Sequence, residues 1–425
     1  MPDRNVVVLG AGLAGLGFAR HWPGCRVFEA EAEPGGYARS HEFAGAWFDR
    51  GAHICHSQDN AWLQELAGAG ALHEMSRSVV LNHKAGHWFA YPVQNHLADL
   101  PTEDCAVALR DFLSAQEMYR GREPRNYEEW CRFQYGDFLL ENFYRFYTAK
   151  YWHVPMAELG TDWLGGRLLP SQVETILAGA RGRQEESQAV FRTFRYPRQG
   201  GFFGLVAHLY AGIDLRVNKR AVRVDEARRC VEFADGTAEE YETLVATLPL
   251  PGLIRMMPDV PADVREAAAR LRALRHYCVN LIVERESLSP AQWFYVYDPD
   301  IAVSRVSFPF SLSGEASGKT AVQAELFLPA DARPDEESLR DKAVGDLARI
   351  LGFDSSAVVA AEIRCHPVSY VISDLNRAAA VHHVRAWLRG RGIETAGLFG
   401  NWAYIWSDRA YASGRDLARA MGKNA

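Results

Sequence analysis

Gly10, Gly12 and Gly15 follow directly on the apolar run Val6-Val7-Val8-Leu9. Four consecutive apolar residues suit a buried parallel strand. Glycines at that spacing allow a tight turn, close approach of a pyrophosphate and close packing of the next helix. That helix, expected from about Leu13 to Trp22, would aim its first N–H groups, at Leu13 and Ala14, toward the phosphates. A second expected strand, Cys25 to Phe28, ends in Glu29, at the distance where such a fold sets an acid on the adenosine ribose. The glycines alone could merely end a strand. With the second strand and Glu29 they predict a dinucleotide site.

Other residues carry weaker signals. Glu33-Pro34-Gly35-Gly36-Tyr37-Ala38-Arg39-Ser40 is a turn that lets backbone approach a ligand closely. Arg305 lies in an otherwise apolar strand, where an unpaired guanidinium is costly, so a ligand or an acidic partner is required. His382 and His383 are adjacent on an expected helix and face different directions, which argues against a shared metal site. His56 is expected to be structural rather than a catalytic acid. The seven cysteines show no paired metal spacing and read as small hydrophobes.

The elements that must position these groups belong to more than one core, since 425 residues exceed what a single core sustains. The expected class is α/β. Residues 1–80, 193–260 and 376–425 are expected to form a discontinuous Rossmann-like dinucleotide-binding domain. Residues 98–192 form an inserted helical domain with a mobile loop over about 180–187, its aromatic stripe read as core. Residues 81–97 and 261–375 form an antiparallel β-sheet substrate domain. A helix is expected over about 204–211, a strand over 215–224 and another over 302–310. The final segment reads as a strand, a turn at Gly400 and a helix from about Ser407, whose start, at Asp408, would face the cofactor. A net charge of -6 argues against nucleic acid as a partner. No signal segment or membrane span is expected, which points to a cytoplasmic protein.

Several motifs, in order, resemble the flavin-dependent UDP-galactopyranose mutases, eukaryotic-type members above all. Gly51-Ala52-His53 is similar to the family's flavin-facing loop, and Tyr91-Pro92-Val93-Gln94-Asn95 to its nucleotide segment. Trp152-His153-Val154-Pro155, Trp163-Leu164-Gly165-Gly166-Arg167 and Thr193-Phe194-Arg195-Tyr196-Pro197 match three more motifs. Trp293, Tyr295 and Arg305 lie on the aromatic run that leads to an essential arginine, and Tyr370 precedes Phe399-Gly400-Asn401-Trp402-Ala403-Tyr404 at the family's spacing.

The resemblance implies FAD, active when reduced by NADPH or another reductant, and a possible homo-oligomer. It implies interconversion of pyranose and furanose forms of a nucleotide sugar, UDP-galactose first, through an adduct of the anomeric carbon with flavin N5. Arg167 and Arg305 would grip the diphosphate, helped by Tyr370 and Tyr404. Tyr91, Gln94, Asn95, Trp152, Trp293 and Tyr295 would meet the rest of the substrate. Gly51, Ala52 and His53 would sit against the flavin. Val93, Leu312 and Leu398 depart from the family pattern and bear on which nucleotide and sugar are bound. The alternatives are an oxidoreductase of the amine oxidase or protoporphyrinogen oxidase type and a flavin-binding protein without catalysis.

Overall fold

Val6–Leu9 is the central strand of a five-stranded parallel sheet in the order Ile393–Thr395, Thr243–Ala246, Val6–Leu9, Arg26–Phe28, Asp214–Arg216. The computed structural model describes residues 5–168, 170, 172–182 and 193–423. The first strand is buried throughout, as an apolar run covered on both faces must be. Its helix, Leu13–His21, packs against the last one, Ser407–Lys423, with backbones almost touching. A Cβ on Gly17 would lie 2.1 Å from the Tyr411 carbonyl oxygen, and one on Gly414 would lie 1.9 Å from that of Ala14. Only glycine permits that crossing.

A seven-stranded sheet forms the second layer, in the order Val358–His366, Leu274–Val283, Thr320–Pro329, Arg305–Ser307, Trp293–Val296, Val80–Lys84, His87–Ala90. Its pairings are antiparallel except between Trp293–Val296 and Val80–Lys84, which run parallel. Those two strands come from distant parts of the chain, so no hairpin dictates their direction. The helix Glu336–Leu351 covers one face through Ala343, Leu347 and Ile350, over Val279, Phe294 and Val306. The register then fixes the other face: Asn82, Tyr295, Arg305, Glu325 and Cys278 are direct neighbours across five strands and share one side.

Helices Thr102–Met118, Tyr127–Leu139, Arg145–Trp152 and Val173–Ala180 form a layer whose core is aromatic, including Phe112, Tyr135 and Phe143. Most of the stripe is core, although Phe146 is exposed and Tyr127, Tyr144 and Tyr147, with Tyr151 and Trp152 beyond it, also reach a cavity. Most of the loop expected over 180–187 lies outside the described residues.

Three local expectations are corrected. Residues 204–211 form no α-helix but two short 3-10 turns, Phe202–Leu205 and Ala207–Tyr210, because the N–H groups of Phe202 and Phe203 turn inward to Asp49 and Ser40. The strand expected over 215–224 is two, Asp214–Arg216 and Ala221–Asp225. Between them Asn218 is left-handed (φ 57°), and the N–H groups of Asn218 and Lys219 bond to the carbonyls of Glu31 and Glu29. The strand expected over 302–310 shrinks to Arg305–Ser307, since Pro309 opens a short helix.

Candidate active site

A cavity of about 450 Å³ runs between the parallel sheet and the polar face of the mixed sheet. At one end its wall is made of Gly10, Gly12, Leu13, Ala14, Glu29, Gly35 and Gly36. Gly12 and Gly36 face each other: a Cβ on Gly36 would come 3.0 Å from the Gly12 Cα, and one on Gly12 would project into the trough, meeting only the Gly36 Cα at 3.8 Å. The cradle is thus bare backbone at the amino end of a helix, which suits a pyrophosphate. The Glu29 carboxylate is held by the N–H groups of Ala11 and Glu31, each at 2.9 Å, with lone pairs left for a ribose.

At the other end, Arg167, Tyr404, Tyr370 and Arg305 form one continuous array. The Arg167 guanidinium stacks 4.0 Å from the Tyr404 ring and 4.7 Å from Trp406. Tyr404 and Tyr370 meet edge to face at 5.3 Å, and Arg305 Nη2 donates to the Tyr370 hydroxyl at 3.3 Å. Arg167 Nη1 donates to the Trp163 carbonyl, whereas Nη2 is buried without a hydrogen-bond partner among the described residues. Arg305 has the acidic partner its apolar strand required: Nε and Nη2 donate to the two Glu325 oxygens at 2.6 and 2.7 Å. Burial alone would raise the Glu325 carboxyl, but Arg305 and His276 outweigh it and hold it well below the usual carboxylate range.

Ala52, His53, Tyr91, Gln94, Trp152, Trp293 and Tyr295 also line this cavity. The Tyr91 and Tyr295 rings meet at a tilt of 36° with centroids 5.1 Å apart, and the Gln94 oxygen accepts from the Tyr144 hydroxyl at 2.8 Å. Burial pulls the His56 imidazole below its ordinary value, partly offset by Asp408, and the ring packs edge-on against Trp406.

Five expected residues stand outside the cavity wall. Gly15 supports it by letting the first helix approach the Gly10 carbonyl. Gly51 (φ +86°) lies against His276 and Glu325, where a Cβ would come within 2.8 Å of both. The Asn95 backbone packs on Gly179, and Gly400 packs on Ala246 and Thr395. Asp408 turns away from the cavity and accepts from the Ser57 hydroxyl at 2.5 Å. Sequence reasoning passed over Glu325, His276, Tyr37 and Tyr151. Glu325 carried the signal that exposed Arg305, a charge within an apolar strand. Tyr151, whose hydroxyl lies 3.3 Å from that of Tyr404, carried none beyond its place beside Trp152.

The five-stranded parallel sheet, the bare glycine cradle and the acid at the ribose position define a dinucleotide-binding protein built on an α/β fold. The chain belongs to the flavin containing amine oxidoreductase family, whose profile matches residues 19–419. Among solved structures, it resembles a reduced UDP-galactopyranose mutase with a TM-score of 0.90 at 21% identity, covering 100% of this chain and 95% of that one. A candidate protoporphyrinogen oxidase from Exiguobacterium gives 0.78 at 17%, with complete coverage of both chains. A redesigned putrescine oxidase gives 0.65 at 16%, with 99% coverage of each. At these identities the likeness shows the fold. The cofactor is FAD, and the cradle fits it. No helix among the described residues is long and apolar enough to cross a membrane, and no cluster of His, Cys, Asp and Glu there could hold a metal ion. His383 instead pairs with Asp263. The seven cysteines are free.

Proposed function

We propose that the chain interconverts the pyranose and furanose forms of a nucleotide sugar, with UDP-galactose the first candidate. The observation that carries this reading is the pair of guanidinium groups, Arg167 and Arg305, opening onto one cavity, with Arg167 Nη2 buried without a hydrogen-bond partner among the described residues. An oxidase acting on an amine has no use for two such groups. A diphosphate has, because each guanidinium offers donors in a fixed fork to phosphate oxygens.

Reduced FAD supplies the nucleophile that the anomeric carbon requires. The protein's part is to hold the leaving diphosphate and stabilise the charge it gains. Arg167 carries a full positive charge to it. Arg305, tempered by Glu325, brings fixed donor geometry at smaller electrostatic cost. The Tyr370 and Tyr404 hydroxyls complete the cradle. Tyr91 and Tyr295 form an aromatic wall for a base, and the Tyr144 proton on the Gln94 oxygen turns the Gln94 amide N–H groups toward a base carbonyl. Tyr147, Tyr151 and Trp152 exclude water from the sugar.

The test compares UDP-galactofuranose incubated with oxidised and with dithionite-reduced holoprotein, resolved by nucleotide-sugar chromatography. Conversion to the pyranose with the reduced protein alone supports the proposal. No conversion, with the bound flavin bleached by an amine, would place the chain among the oxidoreductases of its family.

A further inference from the structure

We propose that Tyr37 touches the flavin ring as a hydrogen-bond acceptor, and that His276, locked by Glu325, is the positioning residue that makes it one. The argument begins at Glu325, which is fully buried. Its Oε1 accepts from Arg305 Nε at 2.6 Å and from the Ala52 N–H at 3.2 Å. Its Oε2 accepts from Arg305 Nη2 at 2.7 Å and faces His276 Nε2 at 3.1 Å. A carboxylate has about four acceptor sites, and all are used, so this one stays ionised and donates nothing.

His276 is equally buried, and burial keeps its ring neutral although Glu325 pulls the other way. A neutral imidazole carries one N–H; Nε2 faces the Glu325 carboxylate and lies 3.5 Å from the Cys278 thiol, and because an ionised carboxylate can only accept, that hydrogen sits on Nε2. Nδ1 is then an acceptor, 3.0 Å from the Tyr37 hydroxyl. The single phenolic proton is committed there. With the Ser369 hydroxyl also bonding to the phenolic oxygen, what Tyr37 keeps is lone-pair acceptor capacity and no free proton.

Tyr37 follows Gly35-Gly36 of the cofactor cradle, and its ring lies 6.4 Å from His53 and 6.1 Å from Phe399, both cavity residues. An acceptor set there favours the flavin in its reduced form, because reduction adds an N–H to the ring. The same Glu325 that anchors Arg305 thereby orients a group at the cofactor.

The test needs no substrate, so its outcome is independent of the nucleotide-sugar reading. The two-electron midpoint potential of the holoprotein is measured by dithionite titration against a reference dye, in wild type, Tyr37→Phe, His276→Asn and His276→Gln. Tyr37→Phe is expected to lower the potential by about 30 mV, a tenfold change in the equilibrium. The Asn oxygen takes the place of Nδ1 and should preserve the wild-type potential. The Gln amide reaches Glu325 but leaves Tyr37 without its acceptor, and should shift the potential as Tyr37→Phe does. An unchanged potential in Tyr37→Phe overturns the proposal, and equal shifts in the two His276 variants overturn the positioning role. Should those variants fail to fold, ¹⁵N-histidine spectra decide: the imidazole that moves between wild type and Tyr37→Phe must be the Nε2–H tautomer, and an Nδ1–H tautomer overturns the assignment.

Discussion

The two arginines of the cavity differ in what removing them exposes. Arg167 has no acidic partner in its array, so Arg167→Met deletes the ligand contact with its stacking on Tyr404 and Trp406 and its bond to the Trp163 carbonyl, but leaves no buried carboxylate behind. We expect kcat/KM to fall roughly 10²-fold, about 3 kcal/mol, with flavin content and melting temperature unchanged. Kinetics beside flavin absorbance and thermal melting check this, and a fall in melting temperature alongside activity would mark Arg167 as structural. Arg305 is different, because Arg305→Ala leaves the Glu325 carboxylate buried without its partner. A loss of about 3–5 kcal/mol of stability should accompany the loss of activity. Arg305→Ala combined with Glu325→Gln should regain much of the stability and none of the turnover, as denaturant titration and assay would show.

At the scale of elements, the helical layer is fastened to the mixed sheet by Lys150. Its Nζ donates to the carbonyls of Val296 and Asp298, each at 2.8 Å. Burial brings this amine down to about 7, against the pull of Asp298, Asp300 and Asp346. An unfolded lysine titrates near 10.4, so between about pH 7 and 10.4 the unfolded chain binds more protons and stability rises with pH. Below about pH 7 both states are protonated and the fold bears the full cost of the buried cation. Lys150→Met removes this dependence. The difference in denaturation midpoint between wild type and variant should therefore move in favour of wild type from pH 7 to pH 9, and a flat difference would rule out the titration.

The same scale shows which elements were legible. The first strand, its glycines and the first helix were readable because their signals are local: an apolar run, a fixed spacing and a helix start. The Arg167 and Arg305 motifs were readable through resemblance. The break after Arg216 was not, because it is set by bonds from Asn218 and Lys219 to the loop after Glu29, nearly 190 residues earlier in the chain. Asp408 lies outside the cavity wall for a related reason: a helix start aimed at a cavity need not aim its first acid there, and here that acid accepts from Ser57. Glu325, a charge within an apolar strand, could not be assigned as the partner of Arg305 until the register set the two side by side.

Over the whole molecule, the glycine crossing of the first and last helices is the joint that closes the cofactor fold. Gly414→Val would drive a branched side chain into the Ala14 carbonyl and the Phe18 amide. We expect destabilisation at or above the 1–3 kcal/mol usual for overpacking, and protein purified without flavin. Differential scanning calorimetry with flavin quantitation checks this, and a variant that is yellow and fully stable would show that the helices can separate.

That joint also orders events in time. The glycine-rich turn leaves the ribosome well before the helix that braces it, Ser407–Lys423. At about 5–20 residues per second, synthesis of the intervening chain takes on the order of tens of seconds. Throughout that interval the nucleotide-binding turn exists without its brace. A braced cofactor turn therefore requires the helix Ser407–Lys423, so stable flavin capture follows the synthesis of that helix rather than that of the turn.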